Sequence, residues 1–327
     1  MKIVVLMGGS SPERDVSIES GRNVAESLKS AGHEVLTLDT VLPIEQIYKK
    51  IEIDCDITGK DEENLIKLLI TDEVKSADFI FNALHGGSGE NGVVQAILDA
   101  LGYKYNGSGV EGCAITMDKI ATKHILNNLG IPTPRSFYYN YKEYKNIPID
   151  KIINGFSLPL VIKPANQGST VGVSVVYNKE EFNRGIEKAF RYDTDIIIEE
   201  FIEGREMTVG IIGDRAMPVL EIIPKHGIYD YECKYTDGMS EYIVPAKVRE
   251  NVARQMQEMS LMAFKALRCY GYGRFDIRLS KDNIPYFLEF NALPGMTSHS
   301  LVPKAAEAMG MSFIELLEEI IRLGLER

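Results

Sequence analysis

The chain has 327 residues, enough for two or three domains at ~100–200 residues each. A hydrophobic share of 45% and a charged share of 25% are ordinary for a soluble globular protein, and no repeat, low-complexity tract or charged tail interrupts them. The net charge of −11 argues against nucleic acid as a main partner, while leaving room for a local basic site that takes a small anion.

The first element is a short apolar strand at residues 3–7. It is far too short for a signal peptide or a membrane span, so no membrane partner is expected. Cys55, Cys113, Cys233 and Cys269 show no C-x-x-C spacing, which speaks against a disulfide framework or zinc site and fits a reducing cytoplasm. The strand ends in "GGSSPERD", placing Glu13 and Arg14 beside a helix that starts between Ser11 and Ser17. Strands follow at 35–38 and 78–83, the latter ending in "LHGGSGENG", and then a helix at 95–101. Strand, glycine turn and helix in alternation give an α/β layer with a parallel sheet, whose sites lie beyond the carboxyl ends of the strands. The G-x-G-x-x-G dinucleotide fingerprint is missing, which weakens a dehydrogenase reading. None of the five histidines has metal-ligand spacing; His85 and His299 sit in loops, where a structural role competes with a functional one.

A second unit begins near Gly107, with a helix expected at 117–129 that carries Lys119 and Lys123 at i, i+4. In "VIKPANQGSTVGVSVV" two apolar strands, 158–163 and 172–177, are joined by a loop rich in Gly, Ser and Thr. Such a loop folds over a nucleotide, its amides and the Ser169 and Thr170 hydroxyls facing phosphate, with Lys163 as a point charge. It is not a Walker A loop, and the competing reading is a flexible surface hairpin. A helix at 180–190 and a strand at 196–200 come next. In "IIIEEFIEGREMTV", Glu199, Glu200, Phe201 and Ile202 offer backbone groups to an adenine ring, and Glu206 offers a carboxylate to ribose; the alternative is a charged strand end.

A third unit starts near Phe201. Its polar loop at 224–241 contains "YDYECKYTDG" and is long enough for a lid, with Lys234 and Tyr235 as chemical handles, or is merely mobile. After a helix at 248–270 comes a hairpin, "RFDIRLSKDNIPYFLEFN". Alternation puts Arg274, Asp276 and Arg278 on one face and Phe275, Ile277 and Leu279 on the other; Phe287, Glu289 and Asn291 share a face of the second strand. With the turn on Asp282-Asn283, Asp276 faces Glu289 and Arg274 faces Asn291. Like charges directly opposite destabilise a sheet, so Mg²⁺ between them is one reading and a solvated mixed-charge face the other. "GMTSHSLVPKAAEAMG" is a helix start with Pro303 in its first turn and a cap near Ser300, suited to binding a carboxylate or phosphate or simply an ordinary capped helix.

In this order, "GGSSPERDVS", "LHGGSGENG", "GSGVEGCAITMDKIATK", "KPANQGSTVGVS", "YDYECKY", "GYGRFDIRL" and "EFNALPGMTSHSLVP" resemble the motifs of D-alanine–D-alanine ligases, which are ATP-grasp enzymes. The resemblance covers nearly the whole chain. It implies an α/β fold of three domains: a Rossmann-like substrate domain at 1–107, a central ATP-grasp subdomain at 108–200 and a C-terminal one at 201–327 holding the metal and catalytic site. It further implies that two D-alanines are joined with ATP, through an acyl phosphate, for peptidoglycan precursors.

Lys119, Lys163 and the lid residue Lys234 would hold ATP phosphates. Residues 199–202 would clasp adenine, and Glu206 the ribose. Asp276, Glu289 and Asn291 would bind two ions of Mg²⁺ or Mn²⁺. Arg274 and the Gly295 amide would stabilise the oxyanion, Glu13 would hold the first substrate's ammonium with His85 nearby, and Ser300 with the Leu301 amide would take the second carboxylate. Ser169 and Tyr235 would link with Glu13 to lock the lid. A cytoplasmic homodimer is the expected state.

Departures are small: Ala292 replaces a frequent hydroxyl residue, Asn91 a common Asp and Gln167 a frequent Glu. Tyr235 favours dipeptide over D-alanyl-D-lactate. A ligase with another second substrate and a regulatory nucleotide-binding protein remain the alternatives, the latter disfavoured by the intact Lys163, Arg274, Asp276, Glu289 and Asn291.

Overall fold

The computed structural model describes residues 1–42, 61–225, 236 and 238–327. Its strands are β1 (Lys2–Met7), β2 (Glu34–Asp39), β3 (Phe79–Asn82), β4 (Ser136–Asn140), β5 (Leu160–Pro164), β6 (Ser174–Val176), β7 (Asp195–Glu200), β8 (Gly204–Ile212), β9 (Arg215–Ala216), β10 (Leu220–Pro224), β11 (Ser240–Ile243), β12 (Tyr272–Ser280) and β13 (Pro285–Asn291). They form three sheets.

The first sheet is parallel, in the order β2-β1-β3. From Ile3 to Met7 the β1 strand is apolar because both of its faces are covered. Ile3 and Val5 point to a core shared with the helices Arg14–Ser30 and Phe313–Glu326, while Val4 and Leu6 point to one with Asp61–Leu69 and Val93–Leu101. The last helix of the chain therefore completes the core begun by the first strand.

The second sheet runs β4-β7-β5-β6 with every pair antiparallel. Leu160, Ile162, Ile196 and Ile198 pack on Phe182 and Ile186 of the helix Lys179–Ala189.

The third sheet is also antiparallel, in the order β11-β10-β8-β12-β13, with β9 beside β8. Phe275, Ile277 and Leu279 of β12 pack with Met256 and Phe264 of the helix Glu250–Ala266. The opposite face of β12 carries Arg274, Asp276 and Arg278. Its spacing of two residues sets successive charged groups about 6.6 Å apart along the strand.

Two local expectations change. The helix expected at 117–129 starts at Lys119: a separate helix, Val110–Met117, ends before Asp118, whose carboxylate caps Lys119–Asn128 by accepting from the Ile120 and Ala121 amides. The hairpin register holds at Arg274↔Asn291 and Asp276↔Glu289, then a bulge shifts it, so that Ile277 pairs with Phe287. Phe287 consequently does not share a face with Glu289. It is fully buried against Phe275, and Phe290 is buried there too, with ring centroids 5.2 and 4.6 Å away.

Candidate active site

Two clefts meet at the β12–β13 pair. The smaller, about 650 Å³, is lined by Glu13, His85, Ser169, Arg274, Gly295 and Ser300 among others, drawing residues from all three sheets' surroundings. The larger, about 860 Å³, is lined by Lys163, Phe201, Ile202, Glu206, Asp276 and Glu289 among others. Successive rungs on this face of the ladder thus line different clefts: Arg274 and Asn291 the first, Asp276 and Glu289 the second.

Glu13 is buried where β1's connection enters the helix Arg14–Ser30, and its Oε2 accepts from Ser169 Oγ at 2.5 Å. Ser169 and Thr170 both adopt positive φ, 45° and 65°, which bends the loop so that Ser169 lines the smaller cleft and Thr170 the larger. The Ser169 hydroxyl is therefore turned to Glu13 rather than into the cleft where a nucleotide was expected. His85 Nε2 lies 3.1 Å from Ser20 Oγ, and burial holds its pKa below the ordinary value against the attraction of Glu13. Ser300 precedes the helix Leu301–Glu307, but its hydroxyl accepts from the Thr297 amide at 2.9 Å and caps none of the helix amides. A Cβ at Gly295 would stand 2.8 Å from Ser300 Oγ, so glycine leaves room for the Ser300 hydroxyl to lie against this turn.

Arg274 gives Nε and Nη2 to the two oxygens of Asp276, both at 2.8 Å, and Asn291 Nδ2 donates to Asp276 Oδ2 at 3.1 Å. Lys119 Nζ stands 3.3 Å from Glu289 Oε2 and donates to the Gln167 carbonyl at 2.5 Å. Positive charge sits beside both facing carboxylates, as their repulsion requires. Among the described residues no group of three His, Cys, Asp or Glu gathers to form an all-protein cage. Two carboxylates with one amide oxygen, lining the two open clefts, suit a hard cation that keeps water and substrate phosphates as its other ligands. The donor set fits Mg²⁺ or Mn²⁺.

On the larger cleft's side, Glu199 differs from its expected role. Its carboxylate is buried between two ammonium groups, Lys123 Nζ at 2.9 Å and Lys163 Nζ at 3.0 Å. Burial opposes its ionisation, but the two lysines outweigh this and lower its pKa. Burial likewise disfavours the Lys163 ammonium, and Glu199 and Glu289 reverse that. The Glu199 backbone belongs to the ladder between β4 and β5, and the amides of Glu200 and Phe201 donate to the Arg135 and Pro159 carbonyls. Of the segment expected to face adenine, these amides are thus engaged within the sheet, and the Ile202 carbonyl accepts from Arg278 Nε at 3.1 Å. Glu206 is ion-paired with Arg278. Leu301 lines the smaller cleft beside Ser300. Lys234 and Tyr235, and with them the expected lid, lie outside the described residues.

Reading the sequence did not assign roles to Glu90, Lys123 or Arg278. Glu90 lines the smaller cleft and accepts from the Gly86 amide at 2.8 Å. Burial, reinforced by the nearby Glu13, pushes its carboxyl up to about 8. The available signal was its place in "GGSGENG", in a loop already marked by His85. For Lys123 the signal was its spacing from Lys119, although the two ammonium groups end at different carboxylates.

The chain matches the family models described as D-ala D-ala ligase N-terminus, over residues 2–108, and D-ala D-ala ligase C-terminus, over residues 125–322. A D-alanine–D-alanine ligase of Halalkalibacterium halodurans is 39% identical over 336 residues, covering 100% of both chains. Among solved structures, the D-alanine–D-alanine ligase from Bacillus anthracis complexed with ATP is 32% identical with a TM-score of 0.79, covering 100% of this chain and 97% of that one. The VanG D-Ala:D-Ser ligase from Enterococcus faecalis is 28% identical with a TM-score of 0.80, covering 99% of each. Together with the two clefts joined along β12 and β13, these matches place the chain in the D-alanine–D-alanine ligase family.

Proposed function

We propose that the protein joins two D-alanines to D-alanyl-D-alanine at the expense of ATP, giving ADP and phosphate for peptidoglycan precursor synthesis. The observation that carries this reading is the shared hairpin, which sets a cleft with Lys163 and several carboxylates beside one with a buried carboxylate and an arginine.

ATP occupies the larger cleft, its phosphates toward Lys119 and Lys163, its ribose toward Glu206 and its adenine against Phe201 and Ile202. Lys234 joins the phosphates from the 226–235 segment. A divalent cation, Mg²⁺ or Mn²⁺, held by Asp276, Glu289 and Asn291 would neutralise phosphate charge and align the transferring group. Two such ions match the charge to be offset. The first D-alanine lies in the smaller cleft, its ammonium on Glu13 with His85 alongside. Its carboxylate oxygen attacks the γ-phosphorus, the bond to the β,γ-bridging oxygen breaks, and ADP leaves. Phosphoryl transfer of this kind needs positioning and charge more than covalent help from the protein.

The amine of the second D-alanine then attacks the acyl carbon. Arg274 and the Gly295 amide stabilise the oxyanion, commonly a large part of the rate enhancement. A guanidinium has five N–H donors, and Asp276 takes two of them. Phosphate leaves, and the second carboxylate rests on Ser300 and the Leu301 amide. Ser169 and Tyr235 tie the closed site to Glu13.

The same reading takes 1–107, 108–200 and 201–327 as its three domains, and the cytoplasm and a homodimer as its setting; these rest on the resemblance. Among the described residues no helix is long and apolar enough to cross a membrane. The test is a product assay: Mg-ATP and D-alanine, with and without D-lactate, resolved by mass. D-alanyl-D-alanine with ADP, little changed by lactate, is expected. Absence of product despite ATP binding would overturn the reading, and depsipeptide as the main product would change the second substrate.

A further inference from the structure

We infer that Arg278 is a positioning residue that aims Glu206 at the nucleotide sugar, an inference resting on the reading of the larger cleft as the ATP site. Three contacts carry it. Arg278 on β12 stands directly opposite Glu206 on β8, and its Nη1 pairs with Glu206 Oε2. Its Nε donates to the Ile202 carbonyl at 3.1 Å. Its guanidinium carbon lies 5.6 Å from the centroid of the Phe201 ring. One side chain therefore touches the residues facing both sugar and base, and all four line the same cleft.

The physical reason is the length of Glu206. A glutamate on a strand has three side-chain torsions and holds a ligand well only when its supports restrict them. The Glu206 and Arg278 side chains are only 15% and 12% exposed, so water competes little for the pair. A carboxylate offers about four acceptor positions, and Arg278 occupies one side of it. A planar guanidinium can hold a carboxylate and a carbonyl at once, which a lysine cannot do in the same geometry. The strand arithmetic adds to this: Arg278, Asp276 and Arg274 lie on one face at successive even steps, so sugar, metal donors and reacting carbonyl are set along one rigid strand.

The test compares ATP, 2′-deoxy-ATP and 3′-deoxy-ATP by calorimetric titration of the full chain with Mg²⁺, for the unaltered protein, Arg278→Met, Arg278→Lys, Glu206→Gln and the double variant Arg278→Met/Glu206→Gln. The unaltered protein should prefer ATP over at least one deoxy form about tenfold, the size of one hydrogen bond to a charged group. Arg278→Met should reduce that preference to about twofold, and the double variant should lose no more preference than Glu206→Gln alone. In turnover, the change should fall on KM for ATP more than on kcat. Arg278→Lys should be intermediate; if Arg278→Met does not fold, this variant decides, and an unchanged preference overturns the proposal. Equal weakening of all three nucleotides by Arg278→Met, with the preference intact, would show a merely structural role. An unaltered protein that binds ATP without preferring it also overturns the proposal while leaving the ligase reading standing. Failure to bind ATP at all would instead overturn that reading.

Discussion

Ser169 donates to Glu13 across 156 positions of sequence, at 2.5 Å, and so fastens the loop between β5 and β6 to the entrance of the first helix. The bond joins a residue of the nucleotide-side loop to the carboxylate that faces the smaller cleft. Removing it should loosen the hold on the first amino acid without removing the charge. Ser169→Ala is expected to raise KM for D-alanine about tenfold, the scale of a charge-assisted hydrogen bond, with a smaller fall in kcat. Glu13→Gln should cost more, because the ammonium loses its counter-charge. Initial rates across a D-alanine series check both, and equal effects from the two variants would contradict the assignment.

Glu289 stands opposite Asp276 and beside Lys119. Glu289→Ala should lower kcat by at least about 10³, since charge neutralisation at the transferring phosphoryl group is lost. The measurement is D-alanine-dependent ADP release over a Mg²⁺ titration. Near-normal turnover would refute the metal assignment.

Glu90 gives a pH dependence. Its carboxyl is raised to about 8 from an ordinary 4.5, first by burial and then by Glu13. The fold therefore favours its protonated form. Its contribution to stability is complete below about pH 4.5 and is lost as pH rises through about 8. Glu90→Gln should match the unaltered protein near pH 4.5 and become the more stable of the two by pH 9. The difference is bounded at roughly 5 kcal/mol and should be smaller, because Glu90 is partly exposed to the cleft. Thermal unfolding from pH 4.5 to 9 reads it, and parallel curves would exclude a raised Glu90.

Gly295→Ala places a methyl group 2.8 Å from Ser300 Oγ, which Thr297 holds through its amide and hydroxyl at 2.9 and 3.0 Å. The hydroxyl must give way. KM for the second D-alanine should rise about tenfold or more, on the order of one misplaced hydrogen bond. Ser300→Ala added to Gly295→Ala should do little further harm, because the group displaced is the group removed. Substrate-saturation curves, in which the two D-alanine sites separate, provide the check.

Much of this arrangement was legible in the chain. The period-two pattern of Arg274, Asp276 and Arg278 identified the charged face of β12, and the glycine turns marked the strand ends where both clefts open. What was not legible depended on long-range packing. A bulge after Asp276 cannot be read from alternation, because strict register sets the apolar Leu288 opposite the apolar Ile277 and satisfies the pattern, which places Phe287 on the charged face. Glu199 read as a strand end because its two lysines come from Lys119–Asn128 and β5, distant in sequence. Ser169 and Thr170 carry ordinary side chains, and nothing in them announces a left-handed backbone. Glu90 is a surface residue by composition and becomes a perturbed acid only when folding buries it, with Glu13 beside it.

The central claim, that a carboxylate in the smaller cleft is phosphorylated by ATP held in the larger, has a direct isotopic test. D-alanine labelled with ¹⁸O at both carboxylate oxygens is incubated with the protein and Mg-ATP, and the released phosphate is examined by mass. The account predicts one ¹⁸O in each phosphate for every dipeptide formed, because the oxygen that attacks phosphorus departs with it. Dipeptide accompanied by unlabelled phosphate would contradict the acyl phosphate and the joining of the two clefts that rests on it.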